Sequence, residues 1–422
     1  MKDKDILIAG YGREGQSSHA LLQRICHHCH IDIAHNNEEI QNALQNMSYD
    51  MIIKSPGIPI FVFEGLCDLR NITSQTDLFL QKYGSQTIGI TGTKGKSTTS
   101  SLIFHVLKSK GKDVILAGNI GIPLFDIIPQ IGKDTIVVAE LSCHQLENIH
   151  RGPHIAVLLN LYQEHLDHYH DYCGYMMAKM QIVLKQQRED RFFYCSDNDD
   201  LRNLVESELG NIVSNVSSYS LEQAIGNDVL ASADSPLKGE HNLLDSYVSL
   251  LVCREFGIND RQFVTSLESF NGLEHRLERV TTVNDITFYD DSISTIPQTA
   301  IAAIEALKDV ETLILGGFDR GIDYAPLVNY LCSSPLGKAI KNIVLIGTSG
   351  KNIYDLLSDT DSRNLMCDFT TDYKMEDAVS FAMRHTTKGK ICLLSPAASS
   401  YDHYKNFEER GNHFKNCVKQ YC

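Results

Sequence analysis

The side chains best suited to chemistry gather in Thr87–Ser100, which reads TIGITGTKGKSTTS. A β-branched run there breaks into a Gly/Lys/Ser/Thr loop and then into an apolar-periodic helix. Strand, glycine loop and helix start in that order make a phosphate cradle. Backbone N–H groups around Gly92, Thr93, Gly95 and Lys96 point into one cavity, and the helix sets its positive end there. Lys96 then sits over the outer phosphates of a nucleotide, and Ser97, followed by Thr98, offers its hydroxyl to a Mg²⁺ ion. The first glycine of generic loops of this type is Ile90 here, so the match is to the variant T-G-T-x-G-K-[ST].

A phosphate cradle alone leaves transfer, hydrolysis and ligation open, because each needs phosphates held and charge neutralised. Three polar clusters follow apolar strands: Gly118-Asn119-Ile120-Gly121, Glu140-Leu141-Ser142, and Asn160 with Glu164-His165-Leu166-Asp167-His168. Glu140, at a strand end, is placed to hold the Mg²⁺ of the cradle; the alternative is a plain surface carboxylate. His165 could bind a second metal, or only cap or hydrogen-bond. Lys179 falls on a helical stretch, where spacing alone reads it as a solvated charge.

An α/β frame must carry these groups. Asp5–Gly10 is a buried-strand pattern, followed by the turn Gly10-Tyr11-Gly12-Arg13-Glu14-Gly15 and an apolar-periodic helix through Ile25. A dinucleotide site would also want an acid at the end of the second strand, but Ile31–His35 finishes on Ala34 and His35. A Rossmann-like domain binding some nucleotide phosphate is therefore favoured over an NAD site. Strand-like runs recur at Met51–Lys54, before Ser55-Pro56-Gly57, and near Asn71–Thr73; at Asp113–Leu116, Thr135–Glu140 and His154–Leu159; and at Ile286–Tyr289, Thr312–Leu315, Asn342–Ile346 and Lys390–Leu394. Alternation with helical stretches predicts largely parallel sheets. The expectation is three α/β domains: a Rossmann-like N-terminal domain over 1–84, a central P-loop mononucleotide-binding domain over 85–275, and a C-terminal Rossmann-like domain over 276–422.

A chain of 422 residues exceeds what one core usually holds, which agrees with several domains. Its formal charge of −15, with no long basic run, argues against nucleic acid as a partner. No stretch reaches about 18 uninterrupted apolar residues, and the N-terminus enters a strand directly, so no membrane insertion and a cytoplasmic setting are expected. The twelve cysteines read as reduced thiols. The cluster Cys26-His27-His28-Cys29-His30 has a zinc-like C-x-x-C spacing but no second Cys/His pair at finger-like distance, and is read as structural.

Taken together, the segments resemble the Mur ligases over essentially the whole chain. Beyond TGTKGKSTT the resemblance rests on GNIGIP (118–123), AELSCHQLE (139–147), EHLDHY (164–169), YMMAK (175–179), GEHN (239–242), FNGLEHRLE (270–278), DDSIST (290–295), LGGFDRGID (315–323) and LSPAASSYDHYKNFEERG (394–411). It implies an ATP-dependent ligase of cell-wall precursor synthesis, acting through an acyl phosphate on UDP-N-acetylmuramoyl-L-alanine and glutamate, with D-glutamate favoured over L-glutamate. It implies two Mg²⁺ ions held by Ser97, Glu140, His165 and Lys179, with Lys179 carbamylated by CO₂. Asn242, Arg276 and Asp291 match ATP-contacting positions, Asn119 lies near the acyl phosphate, and Thr295, Arg320, Ser400 and Phe407 surround the incoming glutamate. The uridine nucleotide is expected on Gly12, Arg13, Glu14, Ser55 and Gly57. A monomer is expected, whose C-terminal domain closes before chemistry.

The chain departs from the pattern at several points. Ile293 and Arg320 stand where lysines are usual, Asp245 replaces an asparagine, and His35-Asn36 replace a Thr-Arg pair that meets the uridine diphosphate. Two rivals are a folylpolyglutamate synthase, which should lack residues 1–84, and a non-catalytic nucleotide-binding protein.

Overall fold

A computed structural model describes the chain apart from residues 1–3, 121, 166–167, 170, 236, 238, 271, 273 and 358–362. Its residues form two compact units, Met1–Phe270 and Asn271–Cys422.

The first unit holds two sheets. In the N-terminal sheet β1 (Asp5–Ala9) lies between β2 (His30–Ala34) and β3 (Met51–Lys54), with the short β4 (Ile72–Thr73) outside β3, and every pairing is parallel. Ile6, Leu7, Ile8 and Ala9 are wholly buried, as an unbroken apolar run on a sheet covered on both faces requires. The larger sheet contains β5 (Thr87–Thr91), β6 (Val114–Gly118), β7 (Ile136–Glu140), β8 (Ile155–Leu158), β9 (Arg191–Cys195) and β10 (Asn215–Tyr219), in the order β10-β9-β8-β5-β7-β6. β5 is central, and its neighbours β7 and β8 continue outward in opposite directions. The loops leaving the carboxyl ends of β5, β7 and β8 therefore open at the switch point where α/β sheets bind ligands. Behind them, the helix Lys96–Ser109 buries Leu102, Ile103, Val106 and Leu107 completely and packs against the helix Glu240–Arg254.

The second unit has one sheet of β11 (Glu278–Val283), β12 (Ile286–Asp290), β13 (Val310–Gly316), β14 (Asn342–Ile346), β15 (Asn364–Asp368) and β16 (Ile391–Leu394), in the order β11-β12-β16-β13-β14-β15. All pairs are parallel except the hairpin β11–β12, whose two-residue turn places Asn284 and Asp285 at φ 50° and 66°. Asn and Asp tolerate that left-handed geometry, which matches the twist of the strands they join.

Cys26 and Cys29 are bonded as a disulfide, with Cα atoms 5.6 Å apart. This corrects the expectation of reduced thiols at that pair: the turn after helix Arg13–Ile25 brings the two β-carbons together. Ten other cysteines are free. Among the described residues no helix is long and apolar enough to cross a membrane.

Candidate active site

The loop after β5 joins a strand to a helix N-terminus as the sequence predicts, but the Thr93 N–H turns to Asn160 rather than into the cavity, and the neighbouring strand β8 clamps the loop. Gly95, the residue before helix Lys96–Ser109, lies at φ 83°, and a side chain there would meet Asp245 Oδ1 at 2.7 Å. Asn160, just beyond β8, accepts from Thr93 N–H at 3.1 Å and Lys94 N–H at 2.8 Å, and its own amide donates to Lys94 O. Thr93 Oγ1 lies 2.8 Å from the Tyr175 hydroxyl. Lys96 Nζ folds back to donate to Gly92 O and Thr93 O, both at 2.9 Å.

Glu140 ends β7 fully buried, with one oxygen accepting from the Ser97 hydroxyl at 2.6 Å and the other from Asn119 Nδ2 at 2.7 Å. A hydroxyl and a carboxylate side by side at a helix N-terminus form a hard-oxygen pair of the kind Mg²⁺ takes, so the residues present fit such an ion. Lys179 is not the solvated charge that spacing suggests. It is 2% exposed, on a helix, Tyr172–Leu184, that is apolar almost all round. Its Nζ donates to Gly92 O at 2.9 Å, the carbonyl that Lys96 also uses, and lies over the Tyr175 ring. Burial, with Lys96 as a lesser like-charged neighbour, pulls its pKa down to about 8.

His165 sits at φ 58°, its ring 6.1 Å from that of Tyr175 and 4.9 Å from that of His144. Its Nε2 is 3.9 Å from Glu164, which also pairs with Lys94 at 2.8 Å. Tyr175 thus touches both the Lys179 ammonium and the His165 ring. His144 is driven down to a pKa of about 4 by burial first, then by the neighbouring His168 and His165. Asp167 of the EHLDHY segment lies outside the described residues.

Beside the cradle a cavity of 380 Å³ is lined by Gly95, Asn160, Asn198, Tyr219, His241 and Asp245, among others. Asn242, expected to contact ATP, is on the first turn of the same helix as Asp245. Burial pushes the Asp245 carboxyl up to about 7. A carboxyl whose pKa is raised by folding is held protonated more tightly in the folded chain. The stability this gives is complete below the ordinary carboxyl range of about 4 and is lost as pH climbs through about 7. Ionised, the group would also face the phosphates of a nucleotide. We therefore expect the KM for ATP to rise on the order of tenfold between neutral and alkaline pH, and Asp245→Asn to flatten that rise and lift the alkaline melting temperature. An unchanged pH profile in the variant would contradict this.

At the carboxyl end of β1 and β3 a cleft of 390 Å³ brings together Gly12, Arg13, Glu14, Ser55 and Gly57 with Tyr11 and His35. Gly15 closes its floor: a side chain there would come within 2.2 Å of Gly10 O. Glu14 lies at the edge of this cleft. Its carboxylate is buried and accepts from Gln145 Nε2 at 2.6 Å, and burial raises its pKa.

In the second unit Asp291 follows β12, with one oxygen accepting from Leu277 N–H at 3.1 Å and the other from the Ser395 hydroxyl at 2.8 Å. Burial raises its pKa to about 6, opposed in part by hydrogen bonds and by Arg276. Leu277 lies at φ 45°, a costly conformation for a bulky residue, and the bond from its N–H to Asp291 helps hold it. Arg410 ties together segments next to the expected glutamate residues Thr295 and Ser400. Wholly buried, its guanidinium donates to Ser292 Oγ and O and to the carbonyls of Ala398 and Ser399, at 2.9–3.2 Å. Ser292 Oγ in turn donates to Phe407 O, and Phe318 N–H donates to Ser399 O. Ser400 is buried there, Thr295 and Phe407 are half-buried, and Arg320 is exposed.

Comparison with known proteins decides the family. The model of the Mur ligase middle domain matches residues 90–251. A UDP-N-acetylmuramoylalanine--D-glutamate ligase of Clostridium botulinum (strain Loch Maree / Type A3) is 33% identical over 391 residues, covering 88% of this chain and 82% of that protein. The chain belongs to the Mur ligase family. It is an ATP-dependent ligase that forms amide bonds. Solved Mur ligases share the fold: MurF from Acinetobacter baumannii has a TM-score of 0.58 at 17% identity, covering 82% of this chain and 79% of that one. MurC from Thermotoga maritima has a TM-score of 0.55 at 17% identity, covering 99% of each.

In this Mur ligase the sequence reading passed over a buried relay between the N-terminal cleft and the histidines. Lys54, at the end of β3 and 2% exposed, donates to Ile58 O at 2.8 Å and pairs with Glu147 at 2.9 Å. The other Glu147 oxygen meets His168 Nε2 at 2.7 Å, and His168 lies 4.2 Å, ring to ring, from His144. A lysine ending an apolar strand was the available signal, since such a position is buried and needs a counter-charge. Arg410 carried no signal of that kind, because its partners are dispersed along the sequence.

Proposed function

We propose that this Mur ligase joins D-glutamate to the L-alanine carboxyl of UDP-N-acetylmuramoyl-L-alanine, with cleavage of ATP to ADP and phosphate, in the cytoplasmic synthesis of peptidoglycan precursors. The observation that carries the reading is the convergence of Lys96 and Lys179 on Gly92 O beside the Ser97–Glu140–Asn119 cluster. The name of the Clostridium botulinum relative supports the substrates.

In this reading residues 1–84 bind the uridine nucleotide through Gly12, Arg13, Glu14, Ser55 and Gly57. Residues 85–275 hold the ATP phosphates on Gly92–Thr98, with Asn242 beside them, and residues 276–422 supply Arg276 and Asp291. Lys96 stabilises the phosphoryl group as it moves to the substrate carboxylate. Asn119 lies by the resulting acyl phosphate. The amine of glutamate attacks that carbonyl carbon and phosphate leaves. Thr295, Arg320, Ser400 and Phe407 hold the glutamate, with the planar fork of Arg320 matched to a carboxylate.

Lys179 is the least ordinary member. A buried and a half-buried ammonium group facing one carbonyl are costly, and a lowered pKa leaves part of the Lys179 amine neutral. That amine adds to CO₂: an N–C bond forms, a proton leaves to solvent, and a carbamate anion replaces a cation. Ser97, Glu140, His165 and the carbamate would then hold two Mg²⁺ ions. Bound there, the ions supply charge neutralisation between the two anions that must meet. The ligase is proposed to act as a monomer.

ADP release is the test. It should require both UDP-N-acetylmuramoyl-L-alanine and glutamate, and the product should be heavier than the nucleotide substrate by one glutamyl residue. ADP release that is unchanged when the uridine nucleotide is omitted would overturn the reading.

A further inference from the structure

Away from the groups described so far, the second unit carries a cluster with the donor set of a transition-metal site. His413 and Cys417 lie four residues apart on helix Phe407–Lys419, and so on one face of it. Glu376 comes from the first turn of helix Met375–His385. One donor atom from each of the three lies within 4.8 Å of the others. Glu376 Oε1 and His413 Nε2 are 3.1 Å apart. Two such donors on one zinc, at about 2.0–2.2 Å and a tetrahedral angle, stand roughly 3.3–3.6 Å apart, so only a small adjustment separates the ion pair from a coordinated pair.

The other histidine nitrogen is already placed. His413 Nδ1 lies 2.9 Å from the Tyr404 hydroxyl, and Tyr404 is itself buried. When that hydroxyl accepts a hydrogen bond from Nδ1–H, Nε2 turns its lone pair toward Glu376. Metal-bound histidines are held by an outer partner in this way. Cys417 is buried while Glu376 is exposed, which gives the cluster a soft inner donor and an open side for entry.

We propose that Glu376, His413 and Cys417 bind a zinc-class divalent ion that pins helix Met375–His385 to helix Phe407–Lys419. Sulfur, imidazole and a single carboxylate suit zinc and leave its fourth position to water; Mg²⁺ and Ca²⁺ prefer oxygen alone. On binding, the Cys417 thiol proton passes to solvent and no redox change occurs. The ion braces the helix from which Arg410 reaches Ser292, Ala398 and Ser399.

The test is a Co²⁺ titration of the full chain after treatment with a chelator. A thiolate-to-cobalt absorption band should saturate at one equivalent, be displaced by Zn²⁺, survive Cys26→Ser, and vanish in Cys417→Ser and His413→Ala. Tyr404→Phe should weaken the metal about 10–100-fold. Zn²⁺ should raise the melting temperature of the wild type but not of Cys417→Ser. A band that persists in Cys417→Ser, or no band in the wild type, overturns the proposal. So does wild-type affinity in Glu376→Gln, a change at an exposed position that leaves the fold alone and exposes the cluster as an ordinary ion pair.

Discussion

Lys179→Ala is expected to lower kcat by about 10²–10³-fold, the scale of one preorganised electrostatic group, without lowering the melting temperature, because it removes a desolvated ammonium. Short carboxylic acids should restore part of the activity, since they return the missing carboxylate. In the wild type, CO₂-dependent activation should quicken as pH rises toward about 8, because the lowered pKa leaves more neutral amine there. Full activity of the alanine variant in bicarbonate-free buffer would remove the carbamate from the account.

The second large effect is at Lys96. Its Nζ bridges Gly92 O and Thr93 O within the cradle, and these two carbonyls hold its charge where outer phosphates would lie, against the desolvation that lowers its pKa. Lys96→Ala should reduce turnover by about 10³-fold or more. The uridine nucleotide should bind as before, because its proposed cleft is made of Gly10–Glu14, His35 and Ser55–Ile58. Calorimetry showing equal loss of ATP and of the uridine nucleotide would mean that the two sites are not separate.

What could be read beforehand followed from burial. β5 is a wholly buried β-branched run and the first strand an apolar one, each followed by a glycine, and both signals survive in any α/β sheet. The edge strands were harder: β10, NVSSY, is exposed at four of its five positions, and β15 is nowhere fully buried, so neither carries a hydrophobic period. Strand β11 belongs to an antiparallel hairpin at an otherwise parallel edge, which βαβ alternation does not predict.

The site divides the same way. The cradle, Glu140 and Asn119 are local to strand ends and could be placed in advance. Lys179 was misjudged by spacing, although a helix apolar on every side is itself a sign of burial. Glu14, Lys54 and Arg410 act through partners 131, 93 and 118 residues away, and although the end of an apolar strand marks Lys54 as needing a counter-charge, no local pattern names the partner.

The amino acid is the finest part of the account, and Arg320 and Ile293 stand where the family's lysines would. A site that pairs both carboxylates of one enantiomer leaves a buried group unmatched with the other, at a cost of at least about 1–3 kcal/mol. The decisive measurement is ADP release in the presence of UDP-N-acetylmuramoyl-L-alanine with purified D-glutamate or purified L-glutamate. kcat/KM should be at least about tenfold higher with D-glutamate, and in an Arg320→Ala variant KM should rise for D-glutamate far more than for ATP. Turnover with L-glutamate exceeding that with D-glutamate would contradict this.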